Sequence, residues 1–254
     1  MNFTNTVILI TGASTGIGKA IAQKLMNENC RLVLLSRRTE LIEKYLHQSQ
    51  ITSNRPLILK CDVTNKDEVA SAYKQIKEKF GKVDIAILNS GVGHRVTVEN
   101  YDSCFAEETF GTNIFGIVYW VEQLLPDFVK RKDGIIAGVS SLVDNRGYSG
   151  SGFYCASKAA ATIYLEGLRV ELKPYGIKVI TIRPGFVKTP MTDKNEFKMP
   201  MLMSVEKAAG IIIDGIKKER RIIQFPWQMV LISRLVGLLP GRLYEWLEGK
   251  QKYK

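Results

Sequence analysis

The sequence is poor in the residues that build metal and disulfide frameworks. It has two histidines, His47 and His94, too few for a histidine-based metal site, so no metal is expected. Its four cysteines, Cys30, Cys61, Cys104 and Cys155, have no paired spacing, and free thiols in a reducing compartment are expected rather than a disulfide frame. No linker or low-complexity tract interrupts the chain, and no apolar run reaches the roughly 20 residues that cross a bilayer. A glycine loop that begins at Gly12 leaves no room ahead of it for the charged start and apolar core of a signal peptide, so a cytoplasmic protein is expected. Acidic residues are outnumbered: 36 Lys and Arg against 25 Asp and Glu give a formal charge of +11. That balance suits a phosphate-rich ligand, anionic lipid or nucleic acid. For nucleic acid, neither zinc spacing nor an aromatic stacking module is present, and no such partner is expected.

What is present is an alternation. Apolar runs at 6–11, 31–35, 56–60, 83–88, 135–139, 177–182 and 221–225 read as strands, separated by helix-like segments at 17–29, 66–80, 101–132, 153–173 and 204–218. Repeated strand and helix units of this kind build a parallel sheet with right-handed crossovers and helices on both faces. The expectation is a Rossmann-type, doubly wound α/β sheet of about seven strands over residues 1–225, followed by an apolar and basic extension at 226–254. Ligands of such sheets collect at the carboxyl ends of the strands.

The chemistry-bearing residues fall at those ends. After the first strand comes Gly12-Ala-Ser14-Thr15-Gly16-Ile17-Gly18. Glycines there permit a tight turn and let a pyrophosphate approach the backbone at a helix N-terminus. The second strand ends in Ser36-Arg37-Arg38, where an acid would hold the ribose of NAD and an arginine accommodates the 2′-phosphate of NADP; NADP(H) is therefore expected over NAD(H). Asp62 and Val63 follow the third strand, Asn89-Ser90-Gly91 the fourth, Ser141 the fifth, and Pro184-Gly185 the sixth, with Val187 and Thr189 just beyond.

Tyr154 and Lys158 stand four residues apart at the start of a helix, so both emerge on one face. A cation beside a phenol favours phenolate and should draw the tyrosine pKa down from about 10. Such a phenol exchanges a proton with a carbonyl or alcohol oxygen, which Ser141 can hold in place. Spacing alone does not make a site, because Tyr73 and Lys77 share it and read as a solvated helix face. His94 and Arg146 are read as polar loop residues outside the site.

The ordered set Thr11-Gly12-x-x-x-Gly16-Ile-Gly18, Asp62-Val63, Asn89-Ser-Gly91, Asn113, Ser141, Tyr154-x-x-x-Lys158 and Pro184-Gly185 closely resembles the classical short-chain dehydrogenase/reductase family over about residues 7–225. The resemblance implies that Tyr154 is the general acid/base, Lys158 lowers its pKa and holds the nicotinamide ribose, and Ser141 orients the substrate. It implies that Asn113 supports a water relay from Lys158, Asp62 and Val63 contact adenine, Asn89 and Gly91 flank the cofactor, and Thr189 reaches the carboxamide or phosphates. The expected function is NADPH-dependent interconversion of an apolar ketone or aldehyde and its alcohol, with reduction of a 3-oxoacyl thioester as an alternative substrate class. A non-catalytic, NADP(H)-responsive regulator on the same fold is the competing reading. Homodimers or homotetramers are the expected assembly. Ser90 and Thr15 depart mildly from the family pattern.

The extension is the least familiar part. Residues 227–239 are strongly apolar, and from 217 to 254 nine Lys and Arg face three Glu. Such a tail can pack over the substrate pocket, join subunits, or lie along the inner membrane surface through 227–250. The loop at 186–203, with Met191, Phe197, Met199, Met201, Leu202 and Met203, reads as either a substrate lid or core filler.

Overall fold

The computed structural model describes residues 1–48, 55–195 and 197–249. Seven parallel strands, β1 (Val7–Thr11), β2 (Arg31–Ser36), β3 (Leu57–Lys60), β4 (Ile85–Leu88), β5 (Ile135–Val139), β6 (Lys178–Pro184) and β7 (Ile222–Phe225), form one sheet in the order β3-β2-β1-β4-β5-β6-β7. β1, β4 and β5 are buried along their whole length, and apart from Thr11 at the end of β1 they carry no polar side chain and do not alternate. The order reverses between β1 and β4, which opens the crevice where such sheets bind ligands.

Each face of the sheet carries its own core. On one side α1 (Gly16–Leu25) and α7 (Val205–Lys217) pack with Ile8, Ile10, Ile21, Leu34 and Ile212. On the other, α3 (Lys66–Phe80), α5 (Gly116–Arg131) and α6 (Gly152–Leu172) enclose Leu9, Val33, Trp120, Leu124, Phe128 and Leu165. The glycine in β5 serves this packing: a methyl on Gly138 would lie 2.5 Å from Leu165 Cδ1. α2 (Thr39–Gln48) joins β2 to the segment before β3.

The helical region expected at 101–132 is found at Cys104–Arg131, with a widened turn inside it. α4 (Cys104–Phe110) passes into a π turn over Gly111–Phe115 before α5 begins, and the Gly116 amide bonds back five residues to the Gly111 carbonyl. Such widened turns concentrate at functional sites, and this one carries Asn113. After β7 the extension forms two helices, α8 (Trp227–Leu238) and α9 (Gly241–Gly249). Among the described residues no helix is long and apolar enough to cross a membrane. α8 docks by its small face, with Ser233 buried and Gly237 against Asn145, and leaves Trp227, Leu231, Leu235 and Leu238 exposed. Of the basic residues expected to mark this tail, Lys250, Lys252 and Lys254 lie outside the described residues.

Tyr73 and Lys77 correct the expectation of a solvated face. Both side chains converge on Asp127 of α5, Lys77 at 2.5 Å, and Tyr73 packs against the core, where burial and the Asp127 carboxylate raise its phenol pKa. The pair ties α3 to α5 and lies on structural ground, away from the strand ends.

Candidate active site

A cleft runs along the carboxyl ends of the strands. Its walls contain Gly12, Ser14, Thr15, Gly16, Ile17, Arg37, Arg38, Asp62, Val63, Asn89, Gly91, Ser141, Tyr154, Lys158, Pro184, Gly185, Val187 and Thr189, so one depression unites residues drawn from six strand ends. Gly18 and Asn113 lie behind that wall and support it.

The glycine turn is shaped by backbone proximity. Gly12 and Gly16 have φ of +66° and +57°, which L side chains rarely adopt. A methyl on Gly18 would lie 2.4 Å from the Gly12 carbonyl oxygen and 2.6 Å from Asn89 Nδ2. Asn89 is held by its own bonds, its Nδ2 donating to Thr11 O at 3.0 Å and its backbone N–H to Thr11 Oγ1 at 2.9 Å. Thr15, which precedes α1, offers no side-chain cap, and the first turn has no acid. The N–H groups and the positive end of the helix dipole are therefore turned to the cleft without a carboxylate to compete.

Next to this turn, Ser36 Oγ accepts the Arg38 amide at 3.0 Å, which starts the turn into α2 and directs Arg37 and Arg38 along the rim. The Arg37 guanidinium stands 3.7 Å from the Asp62 carboxylate. Asp62 is itself oriented by Thr64, whose N–H and hydroxyl donate to it at 3.0 and 2.8 Å. Opposite the turn, Thr189 closes on Gly16, where a methyl would lie 3.2 Å from Thr189 Cγ2. These features fit a dinucleotide: a backbone cradle that any added Cβ would fill, and two cations for a phosphate.

At the other end of the cleft, α6 presents its first turn. Tyr154 lies partly exposed to the cleft beside Ser141, whose Oγ donates to Pro184 O at 3.4 Å, and a methyl on Gly93 would touch the Tyr154 ring at 3.0 Å. Lys158 is 3% exposed; its ammonium donates to Val139 O at 3.0 Å and sits 5.7 Å from the centre of the Tyr154 ring. Loss of solvent around the phenol pushes the Tyr154 pKa up to about 12, against a lowering by the Ser141 hydrogen bond. Burial of the ammonium pulls Lys158 down to about 8. The expected lowering of the tyrosine by the lysine is thus corrected: in the protein alone, desolvation outweighs the neighbouring cation.

Asn113 is fully buried, and its amide is spoken for. Oδ1 accepts from the Val92 N–H at 2.9 Å, while Nδ2 donates to Val92 O at 3.0 Å and Ser157 Oγ at 2.9 Å. Ser157 donates to Tyr154 O at 2.7 Å, so the π turn locks the first turn of α6. Any relay role of Asn113 must use its main chain.

The structure adds to the sequence reading at several residues. Ser140 is buried, donates to Lys158 O at 2.8 Å and contacts Thr162 Oγ1 at 2.7 Å; its only sequence signal was the serine doublet after β5. Asp144, 1% exposed in its side chain, pairs with Arg183 at the end of β6. Met191 lines the cleft. Arg146 is not a free loop residue: its guanidinium donates to carbonyls at the end of α8. His94 meets Glu108 at 2.8 Å and stacks near Phe105, outside the cleft.

A cradle for a dinucleotide that ends at a hydroxyl pair and a buried lysine defines a nicotinamide-type oxidoreductase site. Residues 6–199 match the family described as short chain dehydrogenase. An uncharacterized oxidoreductase of Myxococcus xanthus is 32% identical, covering 93% of this chain and 94% of its own. A short chain dehydrogenase/reductase of Burkholderia phymatum, crystallised with NAD, shares the fold with a TM-score of 0.84 at 22% identity, covering 92% of this chain and 94% of that one. An alcohol dehydrogenase of the archaeon Thermococcus sibiricus, complexed with 5-hydroxy-NADP, has a TM-score of 0.77 at 26% identity over 87% of this chain and 94% of its own. The chain belongs to the classical short-chain dehydrogenase/reductase family. It is an oxidoreductase, and its structural neighbours carry both kinds of nicotinamide cofactor.

Proposed function

We propose that this oxidoreductase uses NADP(H) to interconvert an apolar ketone or aldehyde and its alcohol. The observation that carries the reading is that Ser141, Tyr154 and the buried Lys158 line the same cleft as the glycine turn and the two arginines.

The cofactor, when bound, supplies or accepts the hydride. The residues of the chain do the rest. The α1 N-terminus and the glycine turn take the pyrophosphate, and Arg37 and Arg38 take the 2′-phosphate. A carbonyl oxygen held between Ser141 and Tyr154 accepts from both hydroxyls. Tyr154, with a pKa near 12, is fully protonated at neutral pH and ready to give its proton as negative charge grows on that oxygen. Lys158, with a pKa near 8, is close enough to neutrality both to hold charge beside the phenolate and to pass a proton on. In the protein alone this poise favours reduction over oxidation.

Support for an apolar substrate comes from Met191 in the cleft and from the loop at 186–203. There Phe186 and Phe197 pack ring to ring at 5.9 Å, while Val187 and Met203 pair as buried partners at its base. The loop is therefore anchored at both feet, with Met191, Met201 and Leu202 exposed between. Subunit contact is read from Ile163 and Val170, which stand exposed on the outer side of α6.

The test is oxidation of NADPH, with NADH in parallel, over a panel of apolar ketones and aldehydes. The reading expects turnover of at least one carbonyl and a preference for NADPH. No turnover with any carbonyl, or an equal rate with NADH, overturns the corresponding half.

A further inference from the structure

The connection from β5 to α6 carries Ser141 at one end and delivers Tyr154 at the other. Between them, the loop is fastened to the carboxyl-terminal helices. Ser233 Oγ donates to Leu142 O at 2.7 Å, and Asn145 Nδ2 donates to Ser233 O at 2.7 Å. Tyr244 Oη donates to Gly147 O at 2.6 Å, and the Ser149 N–H donates to Glu248 at 3.1 Å. Arg146 is the centre of the arrangement. Its Nε donates to Val236 O at 3.3 Å and its Nη2 to Gly237 O at 3.1 Å and to Leu239 O, while its charge lies 5.0 Å from the Tyr244 ring centre.

These carbonyls lie at the negative pole of α8, where a helix end leaves acceptor capacity to spare, although Val236 O also accepts from the Leu239 N–H at 3.2 Å. A forked, planar cation satisfies several at once, which a single ammonium cannot do with the same geometry. The contact is also close-fitting: a methyl on Gly237 would come within 2.9 Å of Asn145 Nδ2.

We infer that Arg146 is a positioning residue for the reaction, and that α8 and α9 form a strap that holds the Ser141–Tyr154 loop in its reactive shape. This rests on the oxidoreductase reading above. Arg146 touches neither the cleft nor the hydroxyl pair; it acts by fixing the loop between them. The face of α8 that carries Ser233 and Gly237 is consequently turned inward, toward the loop, while Leu231, Leu235 and Leu238 stand exposed.

The test compares Arg146→Ala, Arg146→Lys and Tyr244→Phe with the wild type. Measured are kcat for an active carbonyl, the Kd for NADPH by fluorescence, and amide exchange of residues 142–151 in the protein alone. Arg146→Ala is expected to lower kcat about tenfold or more, since small misplacement of reacting groups is costly. The Kd for NADPH should stay within about twofold, because the phosphate cradle lies at the opposite end of the cleft. Exchange should rise in 142–151 and not in 12–18, Arg146→Lys should recover part of the rate, and Tyr244→Phe should give a smaller loss of the same kind. Wild-type kcat and unaltered exchange in Arg146→Ala would overturn the strap, as would a loss shared equally by NADPH binding. Should Arg146→Ala not fold, Arg146→Lys and Tyr244→Phe decide by the same split. A wild type that reduces no carbonyl refutes the proposed carbonyl-reducing activity instead, and the exchange comparison then judges the strap by itself.

Discussion

Lys158 holds its charge at 3% exposure, with one carbonyl, Val139 O, for a close partner. Its pKa is drawn from 10.5 to about 8 by burial. Between those two values the unfolded chain binds a proton that the folded chain does not, so stability from this group rises with pH through the window from about 8 to 10.5. Below pH 8 the folded protein carries the charge at a penalty of about 3 kcal/mol; at pH 10 the penalty has shrunk to about 1 kcal/mol. Replacing Lys158 by Met removes the charge, keeps most of the volume, and loses the bond to Val139 O. The difference in unfolding free energy, variant minus wild type, should therefore become less favourable to the variant by roughly 2–3 kcal/mol between pH 7 and pH 10. The absolute value at either pH depends on the lost bond, but the swing does not. Urea unfolding of both proteins at the two pH values, without cofactor, measures it. The same substitution should abolish turnover, since it removes the cation that lies 5.7 Å from the Tyr154 ring centre. A difference that stays constant from pH 7 to pH 10 would refute a buried, depressed lysine and, with it, the proton-poised site.

Other expectations follow from the same geometry. The kcat/KM for carbonyl reduction, which reports groups of the free enzyme, should fall above about pH 8 as Lys158 loses its proton, while Tyr154 stays protonated; a flat profile to pH 10 contradicts this assignment. Exchanging Arg37 and Arg38 together for Ala should weaken NADPH by about tenfold to a hundredfold, the value of one or two charge-assisted bonds, and leave NADH nearly unchanged; equal losses for both cofactors would remove the arginines from the phosphate site. Gly18→Ala should abolish binding of either cofactor, because the new methyl meets the Gly12 carbonyl at 2.4 Å and only backbone movement can relieve it. Retained affinity measured by fluorescence titration would contradict that.

Much of the fold was legible because it is local and periodic. The strands are short apolar runs bounded by turn residues, and the cleft residues sit at their ends, where a doubly wound sheet must place its ligand. The glycine turn was legible because only glycine tolerates the backbone angles at Gly12 and Gly16. What escaped depends on partners far along the chain. Tyr73 read as solvated because its acceptor, Asp127, lies on another helix. Arg146 read as exposed because its acceptors are carbonyls at the end of α8, about ninety positions later. The sign of the Tyr154 shift was misread for a different reason: adjacency of a cation is visible in spacing, whereas the extent of desolvation appears only once the walls around the phenol are in place. The widened turn between α4 and α5 was invisible because no proline marks it; a π turn is set by what it packs against.

The central claim is that the Tyr154 hydroxyl gives up the proton that accompanies hydride transfer. Tyr154→Phe removes one oxygen and nothing else from the cleft. With a carbonyl that the wild type reduces, the account predicts unchanged NADPH affinity and a fall in kcat of about a hundredfold or more, the usual worth of a general acid. Turnover by Tyr154→Phe at the wild-type rate would contradict it.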